Sequence, residues 1–70
     1  MSDDLYDPRW RIRIPRGNSP SLYVRLKGGN WSVSFDHQSA TTWPTEAQTT
    51  AVIRSAPPLI RFEGIPEPVG

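Results

Sequence analysis

The chain contains no cysteine and a single histidine. A disulfide framework and a thiolate metal site are thereby excluded, and one imidazole leaves no cluster of soft ligands, so neither a metal nor another cofactor is expected. Long hydrophobic runs are lacking as well: none approaches the ~20 apolar residues of a membrane-spanning helix. Met1-Ser2-Asp3-Asp4 is acidic where a signal peptide begins basic and continues apolar. A soluble cytoplasmic protein without a membrane partner is the expectation. Phosphate-cradling patterns of the G-x-x-x-x-G-K-S/T kind do not occur, and Gly28-Gly29 reads as a hairpin turn. Asp36 and His37, with Ser34 and Ser39 nearby, bring together residue types for a nucleophile and base. Adjacent strand residues point to opposite faces, however, and an active site needs its groups to converge. An enzyme is not expected.

Seventy residues make one domain at most. A domain of this size buries only about 60% of the surface its unfolded chain exposes, so its stability is expected to be marginal. Three Trp, two Tyr and two Phe supply the means to build a core, each able to bury roughly 150–250 Å².

Charge is the most informative feature. Arg9, Arg11, Arg13, Arg16, Arg25 and Lys27 place six of the eight cations in a stretch without Asp or Glu. Residues 1–8 carry −3 through Asp3, Asp4 and Asp7, and residues 28–70 carry −2, Arg54 and Arg61 being outnumbered by Asp36, Glu46, Glu63 and Glu67. The formal net charge of +1 conceals this segregation. In Arg9-Trp10-Arg11-Ile12-Arg13-Ile14 the guanidinium groups alternate with apolar side chains. An extended chain therefore projects three arginines from one face and Trp10, Ile12 and Ile14 from the other.

The pattern predicts a single α+β domain over residues 1–70, with 1–8 and 64–70 as flexible tails. A first strand is predicted from about Trp10 to Ile14, stopped by Pro15, and Arg16-Gly17-Asn18-Ser19-Pro20 reads as a loop. From Leu22 the alternation resumes, with Leu22, Val24 and Leu26 on one face and Tyr23, Arg25 and Lys27 on the other. Gly28-Gly29-Asn30 supplies a tight turn, followed by Trp31, Val33 and Phe35 alternating with serines. Trp31 and Phe35 are expected in the core. Ala40-Thr41-Thr42-Trp43 is expected to add a short extended piece, with Trp43 packing at a helix entrance. A Thr45 cap starts a helix that Pro57-Pro58 ends, although its apolar face is ill-defined. Leu59-Ile60-Arg61-Phe62-Glu63 reads as a last strand with Ile60 and Phe62 inward. The expected order is β-ββ-α-β: a small three- to four-stranded, mostly antiparallel sheet with one helix on its apolar face.

The basic stretch has three readings. In the first, Arg9, Arg11, Arg13, Arg16, Tyr23, Arg25 and Lys27 dock an acidic protein partner. Seven of the eight cations are Arg, whose guanidinium pairs bidentately with carboxylates and tolerates partial desolvation. Tyr23 beside arginines is the kind of residue that anchors interfaces. In the second, the same cations contact phosphates of a nucleic acid while Trp10 or Tyr23 stacks on a base. The sequence pI of about 8.3 lies below that of a dedicated nucleic-acid domain. In the third, the arginines solvate the outer face of a sheet or pair with Asp3, Asp4 and Asp7. Charge distribution favours the protein partner, with a monomer as the binding unit.

Leu22-Tyr23-Val24-Arg25-Leu26-Lys27-Gly28-Gly29-Asn30-Trp31, followed by Ala40-Thr41-Thr42-Trp43-Pro44-Thr45-Glu46-Ala47 and a short helix, resembles small regulatory proteins encoded by tailed bacteriophages. Among these it is similar in size and character to the transcription regulators of Xanthomonas-type lytic phages that bind host RNA polymerase, block initiation and support antitermination. The resemblance covers about half of the chain and is one of fold pattern rather than matched motif. It implies a cytoplasmic host-takeover factor that occludes a surface of a large host enzyme and performs no chemistry of its own.

Overall fold

A computed structural model describes residues 9–69. The acidic arm at 1–8, its proposed pairing with the arginines, and Gly70 lie outside the described residues.

Four strands, β1 (Arg9–Arg16), β2 (Ser19–Lys27), β3 (Asn30–Ser34) and β4 (Ile65–Val69), form one antiparallel sheet in the order β3-β2-β1-β4. Helices α1 (Glu46–Arg54) and α2 (Pro58–Glu63) pack on its apolar face, chiefly against β1 and β4. This is the expected small α+β fold, with a second short helix added.

The two hairpins follow from their glycines. Gly28 and Gly29 have φ of 58° and 81°, the pair of positive values a type I′ turn requires. Gly17 has φ of 61°, and Asn18 after it stays negative, as in a type II′ turn. The loop expected at 16–20 is therefore only two residues long, and Pro15 does not stop β1. The ladder steps from Ile14↔Leu22 to Arg16↔Ser19 through a bulge, and Pro15 occupies that irregularity, beyond the last β1–β4 pair at Arg13↔Ile65. A bulge is where a strand tolerates a missing amide donor.

The core consists of Ile12, Ile14, Val24, Ile53, Ala56 and Ile60, with Leu22, Trp31, Trp43 and Val52 partly buried around it. The Thr45 hydroxyl accepts from Gln48 N at 3.1 Å and caps α1. Thr49 is fully buried, and its Oγ1 donates to Thr45 O at 2.9 Å. Thr49 and Ile53 thus settle the inward face of this helix, and Ala56, just past its end, is buried as well.

The last quarter of the chain departs from the expectation. Residues 59–63 belong to a helix, not a strand: Pro58 stands in its first turn, Arg61 N donates to Pro57 O and Gly64 N to Ile60 O. Proline is preorganised for that position, its missing amide being one that a helix leaves unpaired anyway. Ile60 points inward, but Phe62 is 76% exposed. The proline-spaced segment expected as a coreless tail is the edge strand β4, paired with β1 from Arg9↔Val69 to Arg13↔Ile65. Pro66 and Pro68 are two apart, so both can turn their donorless nitrogens to the free side while Ile65, Glu67 and Val69 face β1. Phe35 also departs from the expectation. It follows the end of β3, is 58% exposed, and packs against the Arg16 guanidinium instead of the core.

The short extended piece at Thr41–Trp43 is present and has a structural task. Toward its N-terminal end β1 parts from β2, and this segment enters the gap. Thr41 N donates to Val24 O at 3.1 Å, the Thr41 hydroxyl accepts from Leu26 N at 2.8 Å and reaches Leu26 O at 3.2 Å, and Trp10 and Trp43 exchange two backbone bonds of 2.8 Å.

Candidate functional site

Strand parity places Arg9, Arg11 and Arg13 of β1 on the sheet face opposite the helices, together with Ser21, Tyr23, Arg25 and Lys27 of β2. Antiparallel partners point the same way, so Asn30, Ser32 and Ser34 of β3 and Ile65, Glu67 and Val69 of β4 join them. Arg16, expected on this face, does not join it. The extra residue of the bulge lies in β2, where Pro20 and Ser21 stand against Pro15 alone, so β1 keeps its alternation. Arg16 follows Ile14 to the helix-bearing side, where Phe35 continues the alternation of Trp31 and Val33.

The centre of this face is a compact cluster. Glu67 Oε1 accepts from Arg11 Nε at 2.7 Å and lies 2.5 Å from its Nη2. Glu67 Oε2 lies 2.6 Å from Arg13 Nε. The Arg13 nitrogen is buried and lacks an aligned hydrogen-bond partner, so charge attraction holds that contact. Arg13 Nη1 also donates to Ser21 Oγ at 3.2 Å. The Arg11 guanidinium carbon stands 4.9 Å from the Tyr23 ring centroid, within cation–π range. His37, from a 3₁₀ turn at His37–Ser39, meets Tyr23 edge-on at 5.9 Å, and its Nδ1 lies 3.4 Å from Arg11 Nη1.

The seven residues expected to form one surface are therefore in different states. Arg11, Arg13 and Tyr23 are brought together, and their geometry is fixed by Glu67. The side chains of Arg11 and Arg13 are only 16% and 31% exposed, so they are not freely solvated. Arg9 is held at the rim, with Nε donating to Thr42 Oγ1 at 2.9 Å and Nη2 to Thr42 O at 3.2 Å. Arg16 leans on Phe35, its guanidinium 5.9 Å from the ring centroid. Arg25 and Lys27 are exposed on the same face, and among the described residues neither forms a salt bridge.

Glu67 was missed by the sequence reading because it lay in a segment taken for a tail. The available signal was the period-two placement of Pro66 and Pro68, which an edge strand accepts and which sends Ile65, Glu67 and Val69 to one face. Asp36 and His37 likewise acquire definite positions. The Asp36 carboxylate accepts from Gln38 N at 2.9 Å and caps the 3₁₀ turn, while His37 turns to Arg11 and Tyr23. Trp10, considered above for base stacking, lies on the opposite face beside Trp43.

Among the described residues, no group of three or more His, Cys, Asp and Glu side chains comes together that could hold a metal ion. Among the described residues, no helix is long and apolar enough to cross a membrane. No protein-family model matches this chain, and neither a curated protein nor a solved structure matches it.

Proposed function

We propose that this protein is a non-enzymatic binding module that docks an acidic surface of a partner protein through the arginine face of β1 and β2. The observation that carries the reading is Glu67, which lies between two guanidinium groups with one oxygen against each. The chain's own carboxylate thus occupies the kind of position the face offers an anion, held by charge-assisted contacts beside an aromatic ring. Arg25 and Lys27 extend that chemistry to the exposed part of the face.

Tyr23 favours a protein over a nucleic acid. Arg11 covers one side of its ring and His37 meets its edge, which leaves it poorly placed as an open stacking platform for bases. With the phage resemblance added, the proposed partner is a large host enzyme in the bacterial cytoplasm such as RNA polymerase, and the proposed mechanism is occlusion of an acidic surface by a monomer.

The test is capture of purified bacterial RNA polymerase by tagged protein at about 0.15 M salt after nuclease treatment, with Arg25→Glu/Lys27→Glu as the comparison. Charge pairs across a protein interface steer and register binding, while affinity rests more on desolvated anchors, so capture is expected to survive these conditions and to fail in the double variant. Binding only to single-stranded nucleic acid, with a steep salt dependence, would transfer the face to the other class of partner.

A further inference from the structure

The two edges of the sheet are treated differently. β4 carries Pro66 and Pro68, which turn donorless nitrogens outward, and prolines on an edge prevent further strand addition. β3 at the other edge reads Asn-Trp-Ser-Val-Ser, with no proline, no charge and no bulge.

The hydrogen bonds of β2 show which groups of β3 face outward. Val24 O accepts from Thr41 N, and Leu26 N donates to the Thr41 hydroxyl. Both residues therefore turn their backbone groups toward the β1 side. Their pairs with Val33 and Trp31 are the non-hydrogen-bonded kind, so Val33 and Trp31 aim N–H and C=O out of the sheet edge. Among the described residues, no backbone bond outside the strands reaches these groups.

We propose that the β3 edge accepts an extended segment of a partner protein in which acidic and apolar residues alternate. This deepens the reading of the arginine face, on which it rests, by naming the local structure of the partner. Backbone bonds to Trp31 and Val33 supply the added strand's attachment. On the helix-bearing face the new strand adjoins Val33, which is 38% exposed, and the half-buried Trp31, and there apolar side chains cover existing apolar surface. On the arginine face it adjoins Ser32 and Ser34. Ser32 stands opposite Arg25, and Asn30 opposite Lys27. The added strand lies two strand spacings from β2, roughly 9.6 Å, a gap that an arginine and a glutamate side chain span together over a row of serines. A second copy of this chain offers no such complement, because its own β3 would bring Arg25 and Lys27 of each copy toward one another.

The probe is a terminally blocked peptide of alternating Glu and Val, titrated into the full chain while amide signals and exchange are followed by NMR. Exchange at Trp31 and Val33 is expected to slow about tenfold or more at saturation. Val33→Pro is expected to weaken binding about tenfold, since one backbone bond is lost and the edge is blocked, with far-UV circular dichroism unchanged because the Val33 amide does not face β2. Arg25→Glu is expected to weaken it about fivefold, and a Lys-Val peptide is expected not to bind. Should Val33→Pro fail to fold, two peptides N-methylated on alternate residue sets replace it; one is expected to bind the parent chain and the other not. Unchanged exchange at Trp31 and Val33, with binding lost in Arg25→Glu but kept in Val33→Pro, overturns the edge proposal and leaves the arginine face standing. Binding that depends on Val33 and ignores Arg25 overturns both the acidic segment and the arginine-face reading. Concentration-dependent dimers that protect the same two amides without peptide make a second copy the occupant and overturn it too.

Discussion

Glu67 Oε1 accepts a hydrogen bond from Arg11 Nε at 2.7 Å across a separation of 56 residues. This contact joins the first strand to the last on the face that carries the cations. It makes the arginine face part of the folded framework, and several consequences can be measured.

Replacement of the carboxylate has opposite effects on stability and binding. Glu67→Gln leaves two guanidinium groups close together without their shared anion. All three side chains are less than one-third exposed, so a loss of about 1–2 kcal/mol is expected, a fall in Tm of roughly 5–15 °C for a domain of this size. The freed Arg11 and Arg13 raise the positive potential of the face, so affinity for an acidic probe is expected to increase. Calorimetry together with a peptide titration reads both signs.

Gly64 is required for space rather than for its backbone angle. Its φ is −74°, which any residue adopts, but an added Cβ would stand 2.6 Å from Ile60 O and 2.8 Å from Ile12 Cγ2. Gly64→Ala is expected to cost about 1–3 kcal/mol by overpacking. Gly17→Ala meets nothing within 4 Å and carries only the penalty of positive φ, about 1–2 kcal/mol. Urea denaturation of the two single variants reads both losses.

Core rank separates the apolar residues. Ile12→Ala is expected to cost about 2–5 kcal/mol, enough to unfold a domain with little stability in reserve. Trp31→Ala is expected to cost less than Ile12→Ala, because Trp31 is half-buried at an edge strand. Phe35→Ala and Phe62→Ala are expected to change stability by less than about 0.5 kcal/mol, as exposed sites do. A melting series of the four variants checks the order.

Thr41→Val removes a hydroxyl that serves both backbone groups of Leu26 while keeping the side-chain shape. A loss of about 1–3 kcal/mol is expected, because a part-buried donor and acceptor are left unpaired. Accelerated amide exchange at Leu26 would place the loss at this junction.

Local chemistry was readable wherever a residue's neighbours in sequence are also its neighbours in space. Alternation in β1 and β2 put Ile12, Ile14 and Val24 on one side and the cations on the other, Gly28-Gly29 specified a type I′ hairpin, and Thr45 capped α1. These features depend on period, turn geometry and a hydroxyl three residues from its amide. The arginine face was legible for the same reason, as one side of a strand.

Tertiary structure decided what depends on competition for a partner. The free side of β1 can pair with only one strand. Residues 65–69 take that place despite their prolines, because those fall on the outward set of amides, and residues 58–63 are left to form a helix that buries Ile60 alone. Glu67 became the anion between Arg11 and Arg13 only when β4 docked on β1. The amino-acid order thus determined which faces exist, while long-range pairing decided which charges on them remain available to a partner, since a carboxylate more than fifty residues away has no local signal to announce where it will bind.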